Sequence, residues 1–337
     1  MGFLVGSETA EGYVPSLLFR LLRPRTSGNT INGLGETRRR RPTPVYHRFD
    51  FLHPWIVEGA TFIARKLLIN KHRPYFIRTV QMARTGHIPV AAARVDDTAE
   101  NWTRQIREFA LAQPGCDVIG IAALDPLWVF DRDRIDARNV ILVGYRMDYD
   151  QFAHNLKGRF IDGEIAVFDS YLGSQEAAVA IANWIRAKGW PAEGIGGPKG
   201  SALNILDAAI AAGLGELGKH GSIMNDRLGS CFRLAYVTTD LPLMPDAPVE
   251  LGVDEFCKSC RLCTSECPAN AIDDTKKTVR GVEKWYVDFD KCVPYFNEHH
   301  GCGLCLSICP WSRPGVGPKL VQKMLRKKRE RAGAAAD

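Results

Sequence analysis

Two runs rich in branched apolar residues, Val118–Ala123 and Val140–Tyr145, read as buried strands, and Arg233–Asp240 reads as a third. Between the second and third, Gln175–Lys188 sets Ala178, Ile181, Ala182 and Ile185 on one helical face, and Gly189 suits the position just past the helix end. Ala202–Ala212 predicts another helix, and Trp55–Ile69 is an apolar segment that follows a long unpatterned stretch. Residues 1 to 50 mix Gly, Pro, Ser, Thr and Arg without a period, which predicts an irregular arm. Asp148–Ser170 has no period either and is expected to be a loop that shapes a pocket. Alternating strand and helix signals together predict an α/β layer structure ending near Pro248.

Chemistry enters after that boundary. Cys257, Cys260, Cys263 and Cys267 are separated by two, two and three residues, and Pro268 follows the last. This is the spacing with which bacterial ferredoxins hold iron–sulfur clusters, three thiolates wrapping one cube and the fourth reaching its neighbour. A second set is complementary: Cys292, nine intervening residues, then Cys302, Cys305 and Cys309 followed by Pro310. By the crossed rule one [4Fe–4S] cluster takes Cys257, Cys260, Cys263 and Cys309, and the other takes Cys267, Cys292, Cys302 and Cys305. Paired Cys-x2-Cys motifs also bind structural zinc, but zinc has no need of two interlocked sets of four. His299 and His300 beside Cys302 read as loop residues.

Composition narrows the setting. A chain of 337 residues with 45% apolar content can build a real core without staples. Of its ten cysteines, eight crowd between Cys257 and Cys309, which favours metal over disulfides. No apolar run approaches the roughly 18 residues of a membrane span, so a cytoplasmic protein with no membrane association is expected. The net charge of +6 is concentrated in Arg20–Arg41 and Lys319–Arg331. Such ends read as solvated arms more readily than as nucleic-acid sites. The run Arg38–Arg41 is followed by Pro42, Thr43 and Pro44 instead of an apolar stretch, so it does not read as an export signal.

Gly213, Gly215 and Gly218 match the dinucleotide fingerprint, with Asp240 about the right distance downstream. In a dinucleotide unit those glycines follow a strand and open a helix, whereas here they follow the helical Ala202–Ala212. The better reading is that Gly213 ends a helix and the later glycines let backbone pass close to something bulky; Lys219, His220 and Asn225 then either contact a ligand or belong to a satisfied turn, and the residues alone leave both open.

The block from Gly213 to Gly221, then Gly229 to Leu234, Thr239 to Leu243, and the Cys257 motif, in that order and spacing, resembles the cobalamin-dependent reductive dehalogenase and epoxyqueuosine reductase superfamily. The resemblance covers roughly residues 110 to 312. It implies a nitroreductase-like α/β core holding base-off cobalamin, with Gly213, Gly215, Gly218, Lys219, His220, Gly221 and Asn225 near the corrinoid. The ferredoxin-like segment would then deliver electrons to cobalt. The implied organisation is an N-terminal arm and helical region over 1–105, a cobalamin-binding core over 106–248, a two-cluster domain over 249–315 and a basic tail over 316–337.

The two branches of that superfamily differ at one acid position. Epoxyqueuosine reductases carry an Asp there, and counting back seventeen residues from Glu216 reaches Lys199. The dehalogenase branch uses Lys or Asn in this place, and its substrate-side Tyr and Arg fit Tyr171 and Arg233. The resemblance thus implies that Tyr171 supplies a proton, Lys199 adds positive charge beside it, and Arg233 holds a leaving halide or substrate anion. The implied partners are a small, halogenated organic substrate and a separate ferredoxin or flavodoxin donor. Two other functions compete: epoxyqueuosine reductase-like tRNA modification, and a non-catalytic iron–sulfur electron carrier.

Overall fold

The computed structural model describes residues 6–9, 12–46, 53–196 and 201–334. At its centre is a four-stranded sheet of β1 (Val118–Ala123), β2 (Asn139–Arg146), β3 (Ala192–Ile195) and β4 (Phe232–Thr239) in the order β1-β2-β4-β3. Every pairing is antiparallel, with Ile119 opposite Val143, Tyr145 opposite Arg233 and Ala192 opposite Thr239. The helices are α1 (Ile56–Leu67), α2 (Arg73–Thr85), α3 (Ala99–Leu111), α4 (Phe160–Ala187), α5 (Ile205–Ala211), α6 (Val253–Ser259), α7 (Phe289–Glu298) and α8 (Gly317–Ala334). Among the described residues no helix is long and apolar enough to cross a membrane.

Alternation along the strands explains the layers. Ile141, Val143, Ala235 and Val237 face α3 and α4, where they meet Trp102, Ile106, Ile181 and Ile185. Val140, Leu142, Leu234 and Tyr236 point the other way, onto Ala208 and Ala209 of α5. Because both faces of β2 are covered, its sequence reads as one apolar run, although its neighbours are antiparallel. The expected strands are all present within a residue at each end.

Helix α4 corrects one expectation. Asp148–Ser170 is not a loop: a short helix covers Tyr149–Phe152, a 3-10 turn covers Ala153–Lys157, and α4 begins at Phe160. Its first half buries Gly163, Glu164, Ser170, Gly173 and Ser174, so the apolar period that marks its second half is missing there. The small residues allow close approach. A Cβ on Gly173 would lie 2.5 Å from the ring of Tyr145 on β2.

The N-terminal arm is likewise built in. Asp290 on α7 accepts from the Gly28 amide at 2.7 Å and from Ser27 Oγ at 2.5 Å, and Asn29 Nδ2 donates to Asp288 at 2.8 Å. Glu298 accepts from the Ser16 amide and hydroxyl at 3.1 and 2.5 Å. Trp55 packs edge-on against Phe289 at 5.0 Å and donates its indole N–H to Thr26. The basic run is not wholly solvated either. Arg40 pairs with Glu36, and Arg41 donates to the carbonyls of Val129, Phe130 and Asp133. Arg38 and Arg39 are exposed. Residues 12–46 therefore clasp the cysteine-bearing segment.

Candidate active site

Short helical turns present the cysteines. Cys257 sits in α6, Cys260 caps it, Cys263 lies in the turn Leu262–Ser265, and Cys267 follows. Cys292 projects from α7, Cys305 lies in the turn Leu304–Ser307, and Cys309 immediately precedes Pro310. Burial pushes the Cys309 thiol up to about 12, the Trp311 amide draws it back, and the neighbouring thiols of Cys257, Cys263 and Cys260 push it further. Burial raises Cys305 strongly as well, followed by Cys302, Cys292 and Cys267. The thiols acting on Cys309 all come from the set predicted for the first cluster and those acting on Cys305 mostly from the set predicted for the second, with Cys263 reaching across, while among the described residues no three His, Cys, Asp or Glu side chains are gathered closely enough to hold a metal ion. Buried thiols that oppose one another's ionisation are the apoprotein's cost, and bound iron reverses it by stabilising thiolates.

The approach to Cys302 is conformationally costly. His300, Gly301, Cys302 and Gly303 all have positive φ, from 39° to 89°. Each of the two non-glycine residues carries about 1–2 kcal/mol of strain. Asn155 Nδ2 donates to the Cys302 carbonyl at 2.7 Å and helps fix the turn. His299 stacks on Tyr295 with ring centroids 3.7 Å apart, as a packing residue.

The residues of the glycine block divide between the two readings that the sequence left open. Gly213, at φ +70°, follows the end of α5 as expected. The close approaches of Gly215 and Gly218 are to the protein itself: added Cβ atoms would lie 2.2 Å from the Met224 carbonyl oxygen and 2.5 Å from Met224 Sδ. Asn225 is consumed by its own turn, donating to the Leu214 carbonyl and accepting from the Arg227 and Leu228 amides. Lys219, 1% exposed, turns toward the first cysteine motif. Its amide donates to Cys257 Sγ at 3.4 Å, and Nζ donates to the Cys260 carbonyl and pairs with Asp274, both at 2.9 Å. The Lys-His step in the sequence could not indicate which neighbour each side chain would choose.

His220 and Gly221 do line a cavity of about 550 Å³. Its walls include Phe130, Trp285, Val287 and Leu306, and the second cysteine group, Cys267, Cys292, Cys302 and Cys305, borders it. Both His220 ring nitrogens are engaged: Nδ1 accepts from the Ser222 amide at 3.2 Å and Nε2 meets Ser230 Oγ at 3.0 Å. Burial lowers its pKa to about 4, so the ring stays neutral.

Arg233 also lines this cavity. Its guanidinium carbon lies 5.5 Å from the centroid of the Tyr171 ring, and Nε is buried with no hydrogen-bond partner among the described residues. Ser170 Oγ fixes the local register by accepting from the Arg233 amide at 3.1 Å and donating to the Tyr145 carbonyl. Tyr171 and Arg233 are therefore brought together by α4 and β4. Lys199 lies outside the described residues.

Comparison with known proteins bears on the cysteine segment and on the fold. Residues 256–312 match the 4Fe-4S dicluster domain family. The chain is 31% identical over 216 residues to a tetrachloroethene reductive dehalogenase of Desulfitobacterium hafniense, which covers 60% of this chain and 38% of that protein. It is 37% identical over 128 residues to the epoxyqueuosine reductase of Salmonella typhimurium, covering 32% of this chain and 30% of that one. The solved structure of the catabolic reductive dehalogenase NpRdhA with 3-bromo-4-hydroxybenzoic acid superposes with a TM-score of 0.73 at 22% identity, covering 95% of this chain and 48% of that one. That last likeness establishes the fold. The chain spans less than half the length of each of these three relatives. Together they relate it to the reductive dehalogenase and epoxyqueuosine reductase superfamily, nearer the dehalogenase branch.

Proposed function

We propose that the chain is a corrinoid-dependent reductase that removes halogen from an organic substrate, using electrons relayed through two [4Fe–4S] clusters to base-off cobalt. The observation that carries this reading is one apolar cavity bordered by the second cysteine group and by Arg233, with Tyr171 beside the guanidinium. Aromatic and aliphatic walls suit the flat, largely apolar body of a corrinoid. Because both nitrogens of His220 are hydrogen-bonded, that residue would support the cofactor from the side without ligating the metal. A corrinoid, when bound, supplies the strongly reducing cobalt that cleaves the carbon–halogen bond.

The chain's own groups manage the proton and the anion. Replacing halogen by hydrogen consumes two electrons and one proton and releases halide. The Tyr171 hydroxyl would give that proton to carbon, with Lys199 and Arg233 supplying positive charge as it leaves. The orphaned Nε–H of Arg233 is a donor for halide or for an anionic substrate group. A separate ferredoxin or flavodoxin would supply electrons, and the basic helix α8, joined to α6 by Arg331–Glu255 and to the segment before α6 by Lys328–Glu250, offers electrostatic steering.

Anaerobic reconstitution with iron, sulfide and cobalamin tests this reading. The expected result is about eight irons per chain, a base-off cobalt(II) resonance and halide release from bromoarenes. Tyr171→Phe is expected to lower kcat by about 10²–10⁴-fold with iron and cobalt contents unchanged. Turnover of an epoxyqueuosine-bearing tRNA stem-loop without halide release would instead assign the sister activity. Eight irons with no retained corrinoid would leave an electron carrier.

A further inference from the structure

The active-site cavity continues at the hairpin of β5 (Lys277–Val279) and β6 (Val282–Lys284). A smaller cavity of about 200 Å³ abuts it there, and Asp207, Val279, Arg280 and Lys284 line both. The smaller cavity carries the cations Arg39, Arg40, Arg280 and Lys284 against the acids Asp125 and Asp207. Those acids already have partners: Asp125 caps the Leu127 amide at 2.8 Å, and Asp207 accepts from Asn204 Nδ2 at 2.5 Å. Arg40 is held by Glu36, while Arg280 spends one N–H on the Asn32 carbonyl at 2.7 Å. The Lys284 side chain forms no hydrogen bond or ion pair among the described residues.

Both cations are half-buried, and the charge of Asp207 acts on each. Burial lowers the pKa of Lys284, Asp207 opposes that, and Arg280 lowers it further. Burial lowers Arg280 too, Asp207 opposes that, Arg40 adds to it, and Glu36 and Tyr286 oppose it further. The backbone gives an independent signal. Arg280 and Gly281 have φ of 47° and 74°, the two-residue left-handed turn whose first position favours Asn, Asp or Gly. Contacts from the clasp hold this arginine in its strained conformation: its amide donates to the Gly33 carbonyl at 3.0 Å, and the Gly281 amide donates to the Glu36 carbonyl at 2.8 Å. Strain maintained at the rim of a cavity is the pattern of a binding site.

We propose that Lys284 and Arg280 form an anion-recognition site at the mouth of the cavity, taking a carboxylate, phenolate or phosphodiester on a ligand whose apolar body occupies the larger space. This rests on reading that space as the place of reduction. Two ligands carry the required chemistry: an organohalide bearing an acidic group, and the nucleotide tail of the corrinoid.

The test uses the full chain reconstituted with its clusters, with iron content as the control for folding. Calorimetry would measure benzoate and its uncharged isostere benzamide, and retention after desalting would be compared for cobalamin and for cobinamide, which lacks the phosphodiester. For a substrate anion, Lys284→Met and Arg280→Asn are expected to weaken benzoate roughly tenfold or more, with benzamide and cobalamin retention unchanged. If benzoate is unaffected but cobalamin retention falls to that of cobinamide, the site stands and its ligand is the corrinoid tail. If neither variant alters benzoate binding or cobalamin retention, the anion site is overturned, even if halide release persists. Charge-dependent benzoate binding without any halide release would keep the anion site and remove the reductase reading.

Discussion

Strand β2 is buried from Asn139 to Gly144 and the segment from His299 to Cys309 is mostly half-buried, and the two are held by opposite means. Val140, Ile141, Leu142 and Val143 are 0% exposed, with regular pairing and apolar neighbours on each face. The cysteine segment has two non-glycine residues at positive φ, thiols raised by burial, and little repeating structure. The first region earns its stability from area removed from water. The second is a cysteine-lined segment whose strain and desolvation are offset once iron–sulfur bonds form, so its folding is metal binding in part.

Removing the metal should therefore break the comparison most sharply. Anaerobic chelation of iron is expected to abolish hydrogen-exchange protection through residues 256–312 and in the clasp that grips α7, while amides of β2 and β4 stay protected. Uniform loss across the sheet would show that the two regions form one cooperative unit. The next largest effect is the converse. Ile141→Ala should cost about 2–5 kcal/mol in denaturant unfolding, because a fully buried side chain between β2 and α4 leaves a cavity. Iron stoichiometry of the folded variant should be unchanged.

Helix α1 adds a pH term of smaller size. Glu58 of α1 is 1% exposed, and burial raises its pKa to about 7, with the charge of Arg65 opposing the shift. A carboxyl whose folded pKa is raised binds its proton more tightly when folded, so its contribution to stability is fully present below the unfolded pKa of about 4.3 and is lost as pH rises through 7. Glu58→Gln should remove that slope, a change of about 1–3 kcal/mol between pH 5 and 8 in unfolding monitored by tryptophan fluorescence. An unaltered slope would assign the pH dependence to another group.

What could be read in advance divides along the same line. The sheet strands were legible because branched apolar runs have few other uses, and the eight cysteines because their spacing is itself the chemistry. The first half of α4 was illegible because Gly163, Glu164, Ser170 and Ser174 occupy its buried face, and a helix packed through small and polar residues has no apolar stripe. The clasp was illegible for another reason: Ser27, Asn29 and Arg41 act through partners hundreds or scores of residues away, which local pattern does not encode. The strained Arg280 turn had no distinctive signature either.

Lys219 sharpens the comparison at the level of one residue. It lies between the two kinds of region, a buried cation whose amide reaches Cys257 Sγ and whose ammonium is held by the Cys260 carbonyl and Asp274. Cluster reduction adds negative charge, and a nearby fixed positive charge favours the reduced state. Lys219→Met keeps the approximate length of the side chain and the backbone N–H to Cys257, and removes the charge together with the ammonium's contacts to the Cys260 carbonyl and Asp274. The potential of the first cluster should then fall on the order of 50 mV, about 1 kcal/mol for a one-electron couple, in an EPR-monitored redox titration. The second cluster, farther from Nζ, should move less. Equal shifts in both would mean that the substitution had disturbed the cysteine-lined segment as a whole, and no shift would mean that Asp274 already cancels the charge.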